Sequence, residues 1–235
     1  MTKSIIIIGA GDHASVLLDI LLSQKKEVIA LTSINDIRTD LYGIPIINDD
    51  VVLKNYDPNN VLLVNGIGSV GSLQLRKKVF DKFKASGYVF CNVIHSSAII
   101  STHAKIEEGV QVLAGAIINN DAVIKQNSII NTKASVDHGC VIGSHVHIAP
   151  GCTLSGCVNI GACSHIGTGS SVIQGIKIGE NVLVGAGSVV IKDVPNNVKA
   201  FGSPAKVKSD MMRLRGGDNS IVYLCNESSW WRFVA

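Results

Sequence analysis

The sequence predicts two folded parts, a small α/β domain followed by a triangular parallel β-helix, and three observations carry that prediction. From Ile94 onward a branched aliphatic residue recurs at every sixth position; upstream that repeat is absent; and the chain instead opens with an apolar run, a glycine turn and an amphipathic segment.

The repeat decides the architecture of most of the chain. Stepping by six from Ile94 through Ile100, Ile106 and Val112 to Val184 and Val190 meets only Ile, Leu or Val. Four places after most of these sites stands a small residue, Ala98, Ala104, Ala116, Ala122, Ala134, Cys140, Cys152, Ser164, Ser170 and Ser188 among them. Neither the helical period of 3.6 nor the strand period of 2 produces such spacing. A triangular coil does: three hexapeptides make a turn of 18 residues, the aliphatic residue points to the axis, and stacked turns bury a continuous apolar column. Each fully buried aliphatic side chain contributes about 1.5–3 kcal/mol, so the column is the main stabilising term of this part. Glycines at Gly109, Gly115, Gly143, Gly151, Gly161, Gly167, Gly169, Gly179, Gly185 and Gly187 are expected at tight corners that need unusual backbone angles. An inert scaffold leaves the non-periodic first third and the histidines without a place.

In that first third, Ser4 to Gly9 reads as a buried strand, Gly9-Ala10-Gly11-Asp12-His13-Ala14 as a GxGxxA turn, and Val16, Leu17, Ile20 and Leu21 as the apolar face of the helix that follows. Glu27 to Leu31 is a second strand, so the segment is one βαβ unit, whose glycines let backbone amides and a helix N-terminus approach a phosphate. The same turn is also compatible with glycine needed only for packing. Strands at Ile44 to Ile47 and Val61 to Val64 and a helix from about Ser69 to Ser86 complete the domain, and Asn65-Gly66-Ile67-Gly68 is a second glycine turn at the same sheet edge. The unit is short for an NAD domain, and Thr32-Ser33 stands where the second strand of such a domain ends in an acid, with Asp36 only later.

Charged residues make up 17% of the chain, apolar ones 46%, and the net charge is +3 without a basic run, which disfavours nucleic acid as a partner. The run Ile5 to Ile8 is too short to span a membrane and no charged leader precedes it, so a cytoplasmic protein without a membrane partner is expected. Six cysteines, none in CxxC spacing, give no disulfide framework, and no metal-ligand cluster stands out, so metal-independent chemistry is expected.

The GxGxHA turn, Val93-Ile94-His95-Ser96-Ser97-Ala98 at the junction, Val136-Asp137-His138 inside the repeat and the closing Gly202-Ser203-Pro204-Ala205-Lys206 together resemble the sugar O- and N-acyltransferases of the sialic acid O-acetyltransferase and bacillosamine-type N-acetyltransferase family. The resemblance covers about Ile5 to Lys206. It implies a left-handed β-helix, a homotrimer, acetyl-CoA in the groove between adjacent helices and a nucleotide-linked amino sugar on the N-terminal domain. The expected organisation is a Rossmann-like domain over 1–93, the catalytic β-helix over 94–208, and a tail over 209–235 of unassigned role.

Residue by residue, the resemblance makes His138 the general base. An amine or hydroxyl adding to a thioester must lose a proton, which a neutral imidazole near pH 7 is suited to take. On sequence alone His138 reads equally as a solvated corner residue. Asp137 precedes it, and Gly139 stands where the bacillosamine-type enzymes carry an orienting Glu. Because adjacent strand residues point to opposite faces, Asp137, Asn119, Asn120 and a carboxylate from a neighbouring chain all remain candidates to orient the ring. His147 is expected near the acetyl group and Gly156 to supply an oxyanion-binding amide. Gly9, Gly11, Asp12, His13, Asp36, Gly66 and His95 are expected to bind the nucleotide sugar. Ala162, His165, Gly185, Ala186 and Lys206 join His147 and Gly156 as expected acetyl-CoA contacts. The leading activity is N-acetylation of a nucleotide-linked 4-amino-4,6-dideoxy sugar for surface polysaccharide or glycan synthesis. O-acetylation of a sialic-acid-like hydroxyl, a nucleotide-sensing scaffold and an NAD-linked enzyme are the alternatives.

Overall fold

The computed structural model describes residues 3–34, 38–69 and 73–208, together with the backbone of 213–215 and 221–223. Asp36 and most of the tail, including Trp230 and Trp231, lie outside the described residues.

Ser4–Ile8 forms β1, whose four isoleucines are buried because helices or loops cover both faces of the sheet, as befits a central parallel strand. The helix α1 (Asp12–Ser23) follows, then β2 (Val28–Thr32), β3 (Asp40–Leu41), β4 (Ile44–Ile47), α2 (Asp49–Asn55), β5 (Val61–Asn65) and α3 (Gln74–Ala85). The sheet order is β3-β4-β2-β1-β5, with only the short β3 antiparallel, so β1 sits between β2 and β5 and their carboxyl ends meet at one edge. Two details differ from the sequence expectation. Helix α1 buries Ala14, Leu17, Leu18, Ile20 and Leu21 but leaves Val16 46% exposed, because the stripe facing the sheet is shifted by one position. Helix α3 begins at Gln74 rather than near Ser69, and Ser69 is buried.

From Val93 the chain coils in two-residue strands. Ile117 pairs in parallel with Ser135, and Ser135 with Thr153, a step of 18 residues that repeats on all three sides. The first side carries Val93, Gln111, Ile129, His147, His165 and Leu183; the second carries Ile99, Ile117, Ser135, Thr153, Ser171 and Val189; the third carries Lys105, Val123, Val141, Asn159 and Lys177. The sixth-position aliphatics from Val112 to Val190 form the buried column, with the alanines and cysteines at the small sites packed into the same core. The last coil is shorter, Leu183 pairing with Lys199, and an antiparallel strand Lys206–Lys208 closes the stack against Lys199–Phe201.

Half of the repeat glycines serve a different purpose from the one expected. Gly109, Gly115, Gly151, Gly169 and Gly187 do hold positive φ. Gly143, Gly161, Gly167, Gly179 and Gly185 do not; there an added Cβ would come within 2.1–2.7 Å of the next coil. Contact between coils, not a left-handed backbone angle, excludes a side chain at these five. At other corners the positive-φ position is filled by Asp121, Asn127, Lys133, His145, Cys157, Cys163 or Asn181.

The N-terminal domain packs on the first side and its two flanking corners. Val93 and Leu113 join the core under α1, Phe80 stacks on Phe90 at 4.6 Å and meets His145 edge-on at 5.6 Å, and Lys84 pairs with Glu108 at 2.8 Å. The corner between the second and third sides, which carries His138 and Gly156, is therefore the vertex remaining away from that domain.

Ile148, fully buried in the column, tests the stacking. Ile148→Ala is expected to lower unfolding free energy by about 2–5 kcal/mol, measured by denaturant titration.

Candidate functional site

A cleft of about 780 Å³ opens at the carboxyl ends of β1, β2 and β5, lined by Gly9 to His13, Thr32 to Ile34, Asp49, Gly66 to Gly68, Leu75 and Val79. This is where an open parallel sheet places a ligand. The glycines divide in role. A Cβ on Gly66 would lie 2.8 Å from Ala14 and from Ile7, and one on Gly9 would lie 2.9 Å from the Ile67 side chain, so these two let the turns pack together. Gly11, the N-cap of α1, has nothing within 4 Å of that position and faces open space, and Asp12 follows it in the exposed first turn. Gly9, at φ 110°, and Gly66 thus pack the turns together and also line the cleft, while Gly11 leaves an open approach to the helix N-terminus. His13 lines the cleft; His95 does not, its Nδ1 instead accepting from Ser97 N–H at 3.0 Å. Arg38, which sequence reasoning missed, reaches this edge and donates to the Ala10 carbonyl at 2.7 Å.

Behind the cleft runs a buried polar seam that joins the two parts. Arg76 is fully buried; Nη1 donates to the carbonyls of Asn65 and Ile67 at 2.9 and 2.7 Å, and Nε donates to that of Asn127 at 3.3 Å. Asn65 donates to Asn127 Oδ1 at 3.1 Å, and Asn127 in turn donates to His145 Nδ1 at 2.8 Å. His147 is only 8% exposed. Asn131 Oδ1 already accepts from the Thr132 amide, so its Nδ2 donates to His147 Nε2 at 2.9 Å, and His147 Nδ1–H is left to donate to Ser69 Oγ. Both ring nitrogens of His147 are thereby taken by the protein. His165 meets it edge-on at 4.9 Å. None of Gln111, Asn127, Asn131 or Ser69 carried a sequence signal: Gln111, Asn127 and Ser69 are buried where the two parts meet, and Asn131 is half-buried beside His147.

His138 sits elsewhere, exposed at its corner. Its imidazole lies over Gly156, where a Cβ would stand 2.5 Å from ring atoms Cε1 and Nε2. The Gly156 amide donates to no acceptor among the described residues. Asp137 Oδ1 accepts from Asn119 Nδ2 at 2.8 Å and from the His138 backbone amide at 2.7 Å, and these bonds hold its carboxyl below the usual carboxylate range. Asp137 and Asn119 therefore fix the His138 backbone rather than its ring. The structure brings His138, Asp137 and Gly156 together, and separately groups His147 with His165 on the first side. Ala162 stands at the corner leading onto that side, Gly185 and Ala186 at the corner leaving it, and Lys206 in the closing hairpin, where the Phe201 ring packs on Gly185.

Burial keeps the seam histidines neutral. His13 is lowered to about 4 by burial and then by Arg76, His145 is lowered to about 4 by burial, and His147 falls well below 6.5 through burial and then its neighbour His165. With folded values below the unfolded 6.5, the unfolded chain takes up protons first as pH falls, so their stabilisation is full above pH 6.5 and is lost progressively toward pH 4. Calorimetry is expected to show a falling Tm across that window, at most about 1.4 kcal/mol per pH unit for each such histidine, with a shallower slope in His145→Gln.

Two family models match the chain: the PglD N-terminal domain over residues 4–83 and the bacterial transferase hexapeptide (six repeats) over 121–156. Perosamine N-acetyltransferase from Caulobacter crescentus, solved with CoA and GDP-perosamine, is 36% identical, with 89% of this chain and 99% of that chain covered and a TM-score of 0.82. The acetyltransferase domain of PglB from Neisseria gonorrhoeae is 31% identical over 88% of this chain and 100% of that one, with a TM-score of 0.81, and it has also been solved with acetyl coenzyme A. The sheet-edge cleft, the coiled repeat and these likenesses over nearly the whole of both relatives agree: the chain belongs to the sugar acyltransferase family that joins a PglD-type N-terminal domain to a hexapeptide-repeat β-helix.

Proposed function

We propose that the protein transfers the acetyl group of acetyl-CoA to the amine of a nucleotide-linked 4-amino-4,6-dideoxy sugar, with His138 as general base. The observation that carries the base assignment is the His138 imidazole, exposed and laid across Gly156, whose amide is free to donate. The relatives solved with CoA and GDP-perosamine or with acetyl coenzyme A support the choice of substrates.

In this reading the cleft at the β1, β2 and β5 edge holds the nucleotide sugar, phosphates toward Gly11 and the α1 N-terminus. As the amine adds to the thioester carbonyl, His138 takes its proton. The Gly156 N–H steadies charge on the carbonyl oxygen. The N–C bond forms, the C–S bond breaks, and the thiolate leaves with a proton returned by the imidazolium. Because His138 stands at the vertex away from its own N-terminal domain, the sugar reaches it from the cleft of a neighbouring chain. Gly185, Ala186 and Lys206 of one helix and His138 and Gly156 of the next then form opposite walls of the acetyl-CoA groove in a homotrimer. His147, with both nitrogens bonded inside the protein, serves in this reading as a seam residue that backs the groove rather than as a second base.

Release of free thiol from acetyl-CoA with GDP-perosamine or a UDP-linked 4-amino sugar as acceptor tests the activity; sialic acid as the better acceptor would favour O-acetylation instead. His138→Ala is expected to lower kcat by about 10²–10⁴ with the trimer intact. Gly156→Ala, whose methyl displaces the ring, is expected to lower kcat at least about tenfold with little change in Tm.

A further inference from the structure

The seam fixes the hydrogen-bonding sense of one side chain in the cleft, starting from an atom that can only accept. The Asn65 carbonyl lies 2.7 Å from Gln111 Nε2, and a carbonyl has no proton to give, so the amide nitrogen of Gln111 must face it. Gln111 Oε1 then faces His13 Nε2 at 2.8 Å, and an amide oxygen accepts only, so Nε2 of His13 carries the proton. The arrangement cannot slip. The Asn65 carbonyl is also held by Arg76 Nη1 at 2.9 Å, and the following residue is anchored by the Gly66 amide donating to the Ile8 carbonyl at 2.8 Å. In a neutral imidazole with Nε2–H, Nδ1 is a lone pair. His13 Nδ1 has no partner among the described residues and is not among the atoms sealed from solvent, while His13 lines the cleft.

We propose that Gln111 is a positioning residue for the nucleotide-sugar site: it locks His13 as the Nε2–H tautomer, so that the cleft offers an Nδ1 lone pair that takes a hydroxyl or amine proton of the ligand and turns away phosphate oxygens. This rests on the nucleotide-sugar reading above. Burial and the adjacent Arg76 guanidinium keep the ring uncharged at neutral pH, which removes the alternative of an imidazolium with two donors. The phosphates are thereby left to Gly11 and the amides of the α1 N-terminus, and the imidazole distinguishes the glycosyl or ribosyl part of the ligand.

Nitrogen-15 NMR of the wild-type ring tests the first half without any substitution. Nε2 is expected in the protonated range and Nδ1 in the unprotonated range at pH 7, with the Nδ1 resonance moving on addition of GDP-perosamine or a UDP-linked 4-amino sugar. A Nδ1–H tautomer, or an imidazolium, overturns the proposal. The second half is tested by Gln111→Glu, whose carboxylate pulls a proton onto His13 and turns Nδ1 into a donor. The Kd of the sugar nucleotide is expected to rise about tenfold, the loss of a hydrogen bond replaced by an opposed donor. His13→Asn, which can present an oxygen near the Nδ1 position, is expected to bind better than His13→Leu. GDP or UDP alone assigns the proton: unchanged affinity in Gln111→Glu places it on the amino sugar, an equal loss places it on the ribose, and either supports the proposal. Equal or tighter binding of the sugar nucleotide by Gln111→Glu overturns it. If the wild-type chain binds neither sugar nucleotide, the nucleotide-sugar reading falls and takes the ligand half with it, whereas an adverse tautomer sinks the proposal alone.

Discussion

Everything in the second part of the molecule depends on coils lying directly on one another, in a step of 18 residues that only the last coil shortens. Parallel strand pairing holds neighbouring coils less than 5 Å apart, so whatever stands at one level of a column must tolerate the level above it. That single constraint selects aliphatic residues for the axis and small ones beside them, and it removes the side chain wherever one coil's corner abuts the backbone of the next, as at Gly161 beneath Gly179. The same stacking creates the catalytic candidate: Gly156 is one step above His138, and its missing side chain is the space the imidazole occupies. Structure and chemistry use one device, an absent Cβ, filled in one column by the neighbouring backbone and in another by a reactive ring.

The histidines divide by environment. His13, His145 and His147 are enclosed between the N-terminal domain and the first side, fixed by Gln111, Asn127 and Asn131, and kept uncharged. Those are properties of a hydrogen-bonding framework, since a ring whose charged form is costly is a poor base. His138 lies outside that seam, exposed at its corner. Its backbone is pinned by Asp137 and Asn119, while its ring has no hydrogen-bond partner among the described residues, which combines a fixed location with an open ring.

The period of six, read directly from Ile94 to Val190, was enough to give the coil, its turn length and its core, because each level repeats the same demand on side-chain size. The βαβ start was legible for the same reason that its isoleucines are buried on both faces. The seam was not legible. Gln111 and His147 stand at outward strand sites where the period predicts solvent, and nothing local marks Gln111 as facing His13 and Asn65, or His147 as facing Ser69, all from a different domain. The corner glycines were half legible: composition located them, but whether a site lacks a side chain for its backbone angle or for its neighbour upstairs depends on three-dimensional stacking.

The closing hairpin has a consequence for self-association. A ladder of parallel coils ends, in principle, in a naked strand edge that could template another chain's coil and propagate as a fibre. Here the terminal level is covered by a strand running the opposite way, with Lys199 opposite Lys208 and Lys206 opposite Phe201. A reversed, positively charged last rung offers an incoming parallel coil neither matching direction nor neutral partners. On this side of the coil, lengthwise addition of a second stack is thereby disfavoured.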